Sequence, residues 1–230
     1  LYGGVYIDAN NNGKKDVDET VAGRAVVQVN PGTSKIYCDN NGRFTTSLFK
    51  GVYSFNVIND RGLKSQSDIP TKVDATSAQG ITDTLWLPAI VSCEASDLSI
   101  IMGSTAIRKG YTNNQFTMTA GNAGRKAVVG AELKFKAPAT ISPTGFNTNY
   151  DYAEGTIEQG VAYKTYTWKL SNLEAFENRL FQFHHSNASS VNIGDTIQLS
   201  AWITSQEVDC NVSDNMLTQT YTVVGAIDPN

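Results

Sequence analysis

The chain has 230 residues, of which 40% are hydrophobic and only 17% charged, with a formal net charge of −4. Charged residues usually make up about 25% of a globular protein; here Asn, Thr, Ser and Gly fill the gap, a mixture that suits strands and turns better than helices. Basic residues gather only in pairs such as Lys14-Lys15 and Arg125-Lys126, which excludes a phosphate-binding, nucleic-acid surface, and no apolar run approaches the roughly 18 residues of a membrane-spanning helix.

The length exceeds what one small sandwich needs, so two domains are expected, at 1–90 and 91–230. Leu1 opens directly on a strand-like segment, and the chain reads as a piece excised from a larger protein. Tyr2 to Ile7 is apolar and β-prone, and Arg24 to Asn30 carries Val26, Val27 and Val29 before a turn at Pro31-Gly32. Asp39-Asn40-Asn41-Gly42 predicts a hairpin that pairs Lys35 to Cys38 with Arg43 to Leu48, because Asn and Gly accept positive φ at low cost. Val52 to Val57 alternates as a half-buried strand should, and Thr82 to Leu87 predicts the last strand of the first domain. Pro88 to Ser96 then reads as a short connector.

The second part repeats the alternation. Strands are predicted at Asp97 to Met102, Gln115 to Ala120, Val128 to Ala137, Tyr163 to Leu170, Arg179 to His185, Thr196 to Thr204 and Leu217 to Ala226. In the third of these, Val129, Ala131, Leu133, Phe135 and Ala137 share a face. Pro143 to Gly160 is the longest irregular segment, and only Leu173 to Glu177 hints at a helical turn. Period two over seven segments predicts an all-β chain of two consecutive antiparallel β-sandwiches.

The stretch most informative about chemistry is Asp8-Ala9-Asn10-Asn11-Asn12-Gly13-Lys14-Lys15-Asp16-Val17-Asp18-Glu19, which fits D-x-[DN]-x-[DN]-G-x5-E throughout. Calcium takes six to eight hard oxygen ligands. Asp8, Asn10 and Asn12 would supply side-chain oxygens, Lys14 its carbonyl, Asp16 a direct or water-mediated contact, and Glu19 both carboxylate oxygens. Gly13 permits the sharp turn. Strand-like segments flank the loop where a sensor would have helices, so the ion would staple a strand crossing. Two Asn in place of Asp lower the ligand charge and predict modest affinity, suited to millimolar extracellular calcium. The alternative is a polar turn that holds no ion.

Gly4-Val5-Tyr6-Ile7-Asp8-x-Asn10-x-Asn12-Gly13-x-x-Asp16-x-x-Glu19, with Gly23-x-Ala25-Val26-Val27, resembles the B-type repeats of serine-aspartate-repeat adhesins and collagen-adhesin B-like modules. That resemblance implies a calcium-stiffened, transthyretin-like stalk sandwich over residues 1–88. The first strand holds no Lys, so the Lys–Asn crosslink of some such modules is not carried over. Asp97-Leu98-Ser99-Ile100, Gly194-Asp195-Thr196-Ile197 and the closing Val223 to Asn230 resemble repeat-type Ig-like domains of Bacteroidetes surface proteins exported by the type IX system. The closing string has Ala226-Ile227 where that pattern has Ser-Phe. This resemblance implies a large secreted or cell-surface parent, with neighbouring domains of that chain as partners.

Other sites are sparser. Cys93 and Cys210 are candidates for a disulfide that leaves Cys38 free, closing a long loop worth on the order of 4 kcal/mol; three reduced cysteines are the alternative. His184 and His185 point to opposite faces of a strand and cannot readily share an ion. No nucleophile elbow or phosphate loop is present, and no catalytic residues are assigned. Trp202 shares the outward face of its strand with Thr196, Gln198 and Ser200, where it could stack on a sugar; Tyr150 and Tyr152 are further candidate contacts. The expected function is a non-enzymatic structural and adhesive module pair with calcium as its cofactor. The alternative is a carbohydrate-binding module of a secreted polysaccharide-degrading enzyme.

Overall fold

A computed structural model of the chain describes residues 1–58, 60–67, 70–76 and 84–225. The described residues are almost entirely β, and the chain divides into two compact units, 1–94 and 95–230. The sequence-predicted ends at Thr82 and at Ala226 to Asn230 lie outside the described residues.

The first unit packs two four-stranded sheets. One contains β1 (Tyr2–Ile7), β4 (Arg43–Thr45), β6 (Leu63–Ser65) and β8 (Leu85–Val91), in the order β4-β1-β8-β6. The other contains β2 (Val26–Asn30), β3 (Ser34–Tyr37), β5 (Val52–Val57) and β7 (Thr71–Asp74), in the order β3-β2-β5-β7. Val5, Val27, Phe44, Phe55 and Leu87 fill the space between them, and the Phe44 and Phe55 rings stack 6.2 Å apart.

Two sequence expectations change here. The turn at Asp39 to Arg43 exists: Gly42 has φ 68° and Asp39 Oδ1 accepts from Asn41 N and Arg43 N, both at 2.8 Å. It is not a hairpin, because β3 and β4 lie in different sheets. The chain passes between sheets there because Cys38 and Phe44 are both drawn into the core, and the turn itself is held against β1 by Val5 N donating to Gly42 O at 2.8 Å. Likewise Pro88 to Val91 are strand rather than connector. β8 pairs with β1 in parallel, from Gly3 opposite Leu85 to Ile7 opposite Ala89. Pro88 lacks an N–H but lies beyond the β6 pairs, which span only Ala89 to Val91.

In the second unit every pairing between named strands is antiparallel. Its four-stranded sheet is β12 (Ile141–Thr144), β15 (Asn178–Asn187), β10 (Asn114–Asn122) and β9 (Leu98–Ser104), in that order. Its five-stranded sheet is β13 (Tyr152–Glu158), β14 (Val161–Leu173), β11 (Val128–Pro138), β16 (Thr196–Thr204) and β17 (Met216–Thr222), in that order. Phe116, Phe135 and Phe183 meet at centroid distances of 4.9–5.1 Å between the sheets. Trp168 is buried beside Phe181 and donates from Nε1 to Thr148 O at 2.9 Å. Pro143 to Gly160 is not irregular: it holds the end of β12 and all of β13, whose mostly exposed residues lack the apolar alternation of a half-buried strand. The only helical turn among the described residues is a 3₁₀ turn at Val212–Asp214, not at Leu173 to Glu177.

One face assignment also changes. Val129 is 68% exposed and Val128 is buried. Gly130, at φ 71°, lies between the pairs Val129–Asn172 and Ala131–Leu170, with Ser171 across from it and the register unbroken. The inward phase changes here on both strands, with Leu173 and Leu170 buried opposite, so the core face of β11 reads Val128, Ala131, Leu133, Phe135, Ala137.

Candidate functional site: the Asp8–Glu19 loop

The loop leaves β1 and returns beside it. Ile7 N donates to Thr20 O at 2.9 Å, Tyr6 bridges to Val21, and Ala22 N donates to Val5 O at 2.8 Å. Asp8 N is tied to Ala89 O of β8 at 3.0 Å. From this closed neck the chain crosses to β2 in the opposite sheet, so the loop sits on the connection that joins the two sheets.

Inside it, carboxylates organise the backbone. Asp8, 2% exposed, accepts from Asn12 N at 3.1 Å through Oδ1 and from Gly13 N at 2.7 Å through Oδ2. Glu19 accepts from Ala9 N and Asp16 N, each at 3.0 Å. Asp16 Oδ2 accepts from the side-chain amides of Asn10 at 2.8 Å and Asn12 at 2.7 Å. These two amides, then Lys15 and Lys14, hold the Asp16 carboxyl below the usual carboxylate range. Asn11 at φ 58° and Gly13 at φ 73° supply the left-handed steps of the turn.

Beneath the loop, Tyr6 is fully buried and its hydroxyl has no partner among the described residues. Burial first, then the charges of Asp8, Glu19 and Asp16, push its pKa up to about 12. Lys15, whose role no spacing rule reveals, donates from Nζ to the carbonyls of Asp16 at 2.5 Å and Glu19 at 2.6 Å. The same ammonium lies 6.0 Å from the Tyr6 ring and 5.9 Å from the Trp86 ring.

The structure therefore links Asp8, Asn10, Asn12, Asp16 and Glu19 in one network, with Lys14 present through its main chain, where Lys14 N donates to Asn12 Oδ1 at 2.7 Å. Among the described residues, no three or more His, Cys, Asp or Glu side chains gather as a metal-holding group. A cation here would draw on amide and carbonyl oxygens as much as on carboxylates. That donor set fits a hard, oxygen-seeking ion such as calcium, and the partnerless Tyr6 hydroxyl leaves one further buried oxygen beneath it.

The remaining predicted residues are dispersed. Cys93 and Cys210 are disulfide-bonded, and Cys38 is buried and free. Burial, then Asp39, pushes the Cys38 thiol up to about 12. Tyr150 packs edge-on against Tyr166 and Phe146 at 5.1 and 5.2 Å. Tyr152 stands on β13, with Lys169 Nζ 5.7 Å from its ring. The register runs Tyr152–Thr167, Thr167–Lys134 and Lys134–Trp202, so three strand spacings, roughly 14 Å, separate Tyr152 from Trp202. His185 is buried while His184 is half-buried, as opposite faces of β15 require.

No family model matches the chain, and no curated protein matches it. Among solved structures it is similar to AvmM, described as catalysing macrocyclization in alchivemycin A biosynthesis: 10% identity, TM-score 0.44, covering 57% of this chain and 91% of that one. It is similar to the CARDB domain of PF1109 from Pyrococcus furiosus, solved with di-metal ions: 15% identity, TM-score 0.39, covering 58% and 98%. It is also similar to BcpA, the major pilin subunit of Bacillus cereus: 14% identity, TM-score 0.39, covering 98% and 70%. At TM-scores below 0.5, no ligand or activity of those proteins is carried to this chain. No helix among the described residues is long and apolar enough to cross a membrane.

Proposed function

We propose that this chain is a non-enzymatic structural and adhesive module pair of a larger secreted or cell-surface protein, its first domain stiffened by calcium. The observation that carries the reading is the Asp8–Glu19 loop closing the connection between the two sheets of that domain. Asp8, Asn10, Asn12, the Lys14 carbonyl, Asp16 and Glu19 would hold the ion. Bound calcium would neutralise the carboxylates of the loop and tie its oxygens together, supplying structure and no chemistry. The flanking strands favour a staple over a switch, because a calcium switch works by opening a pair of helices.

The non-enzymatic part is supported by the state of the reactive side chains. Cys38 is buried with its thiol held neutral, Cys93 and Cys210 are oxidised, and His185 is buried. A disulfide framework suits an oxidising, extracellular setting.

Thermal unfolding in millimolar calcium and then in EGTA tests the reading, with magnesium as control. An ion that binds only the folded state adds about 2.7 kcal/mol at a hundredfold excess over Kd. The first-domain transition is expected to rise with calcium in the wild type and to become calcium-insensitive in Asp8→Ala/Glu19→Ala. No calcium-dependent shift in the wild type refutes the stapled module and leaves the loop as a polar turn.

A further inference from the structure

The outer face of the five-stranded sheet carries a groove of about 580 Å³, within the size range of small-ligand sites. Trp202 forms its floor. This half-buried indole has no hydrogen-bond partner among the described residues and is flanked by Ser200 and Thr204 on the same face of β16. Met216, opposite Trp202 in the register, is 58% exposed, and Val212 on the 3₁₀ turn is 72% exposed. The other outward positions of these two strands are polar: Gln198 opposes Thr220, and Ser200 opposes Thr218. The indole, thioether and isopropyl groups thus make one apolar platform on an otherwise hydrophilic face, and such a platform in water marks a contact surface.

Hydrogen-bonding groups stand along its wall. Asn215 donates from Nδ2 to Asp209 Oδ2 at 3.1 Å, while its Oδ1 is buried with no partner among the described residues. Glu207 accepts from Val129 N at 3.2 Å and lies 3.7 Å from Lys126 Nζ. Lys136 on the rim is held by Glu158 at 2.5 Å. Two carboxylates and a neutralised lysine disfavour phosphates and other polyanions. An extended peptide adds itself as a strand to a sheet edge, whereas this groove lies on the sheet face.

A sugar ring has the complementary build. One face presents C–H bonds that lie flat on an aromatic ring, and its edge presents hydroxyls that both donate and accept. From this match we infer that the groove binds an uncharged saccharide, stacked on Trp202, with its hydroxyls turned toward the polar side chains of the wall, Asn215 among them. The site lies wholly in the second domain, so it goes beyond the stapled stalk and stands or falls separately from calcium binding.

The test is a printed array of plant, microbial and animal glycans probed with the labelled full chain. Titration calorimetry follows, using the soluble oligosaccharide of each positive spot. The expected result is saturable binding that falls at least tenfold in Trp202→Ala, survives in part in Trp202→Tyr, and weakens several-fold in Asn215→Ala. Sugar should also change the tryptophan fluorescence of the wild type but not of Trp202→Tyr. Melting curves identify any variant that fails to fold, and the two milder substitutions decide if Trp202→Ala does. Absence of any glycan signal above the Trp202→Ala background overturns the inference, as does binding that Trp202→Ala leaves intact. Capture of peptides without glycans overturns it equally.

Discussion

Acid should weaken the second domain through one side chain. His185 continues the buried face of Phe181 and Phe183 on β15 and is 1% exposed. Among the described residues, neither ring nitrogen meets a partner in hydrogen-bonding geometry. Burial, helped by the neighbouring charge of His184 and opposed by the nearby Asn187 amide, lowers its pKa from 6.5 to about 4. The unfolded chain therefore takes up a proton as the pH falls through about 6.5, whereas the folded chain does so only near 4. Stability is full above 6.5, is lost between 6.5 and 4, and levels off below. Relative to pH 7, a single site with these two values removes about 2 kcal/mol at pH 5 and about 3 kcal/mol at pH 4. Urea titrations at several pH values, followed by tryptophan fluorescence, measure the slope. His185→Leu keeps the volume and removes the titrating ring. Its stability should equal or exceed the wild type at pH 7, since two partnerless nitrogens leave the core. Its losses between pH 7 and 4 should be smaller by the amounts above. Parallel pH profiles for the two proteins would refute the reasoning.

Two further perturbations probe the first domain. A Cβ at Gly4 would lie 2.4 Å from the Trp86 ring, so Gly4→Val should cost about 1–3 kcal/mol and lower the melting temperature of that domain, read by Trp86 emission; an unchanged melt would contradict the packing of Trp86 over β1. Thiol labelling with intact-mass readout should find no reactive cysteine in the native, oxidised chain, one after denaturation, and three after reduction, because Cys38 is buried with its thiol held neutral. Rapid native labelling would show that Cys38 is open to solvent.

Much of this architecture follows from alternation that the sequence displays. Ile197, Leu199, Ala201 and Ile203 are buried as period two requires, and Trp202 faces outward with its polar neighbours. Alternation fails where the backbone turns left-handed within a strand, as at Gly130, and where a strand buries little, as in β13. It is also silent about partners. The Asp39 to Arg43 turn has the chemistry of a hairpin, yet the choice between closing one and crossing to the other sheet depends on burial of Cys38 and Phe44 against distant strands. The pairing of β1 with β8 joins residues some eighty apart, which no local pattern encodes. For the loop, residue types and spacing were enough to nominate Asp8, Asn10, Asn12, Asp16 and Glu19, because their contacts are local. Lys15 and Tyr6 escaped because a lysine on carbonyls and a hydroxyl beneath a loop have no spacing signature.

That pairing of β1 with β8 also sets how the first domain bears load. The two strands run the same way, so tension applied at Leu1 and at Ser92 pulls them past each other along their length. The five register pairs from Gly3–Leu85 to Ile7–Ala89 then resist in shear, sharing the force at once, rather than opening one after another as a zipper. Asp8 extends the clamp by one more bond to Ala89 O. The loop grips the end of β1 at Tyr6 and Ile7, the end at which tension on Ser92 enters the clamp through β8.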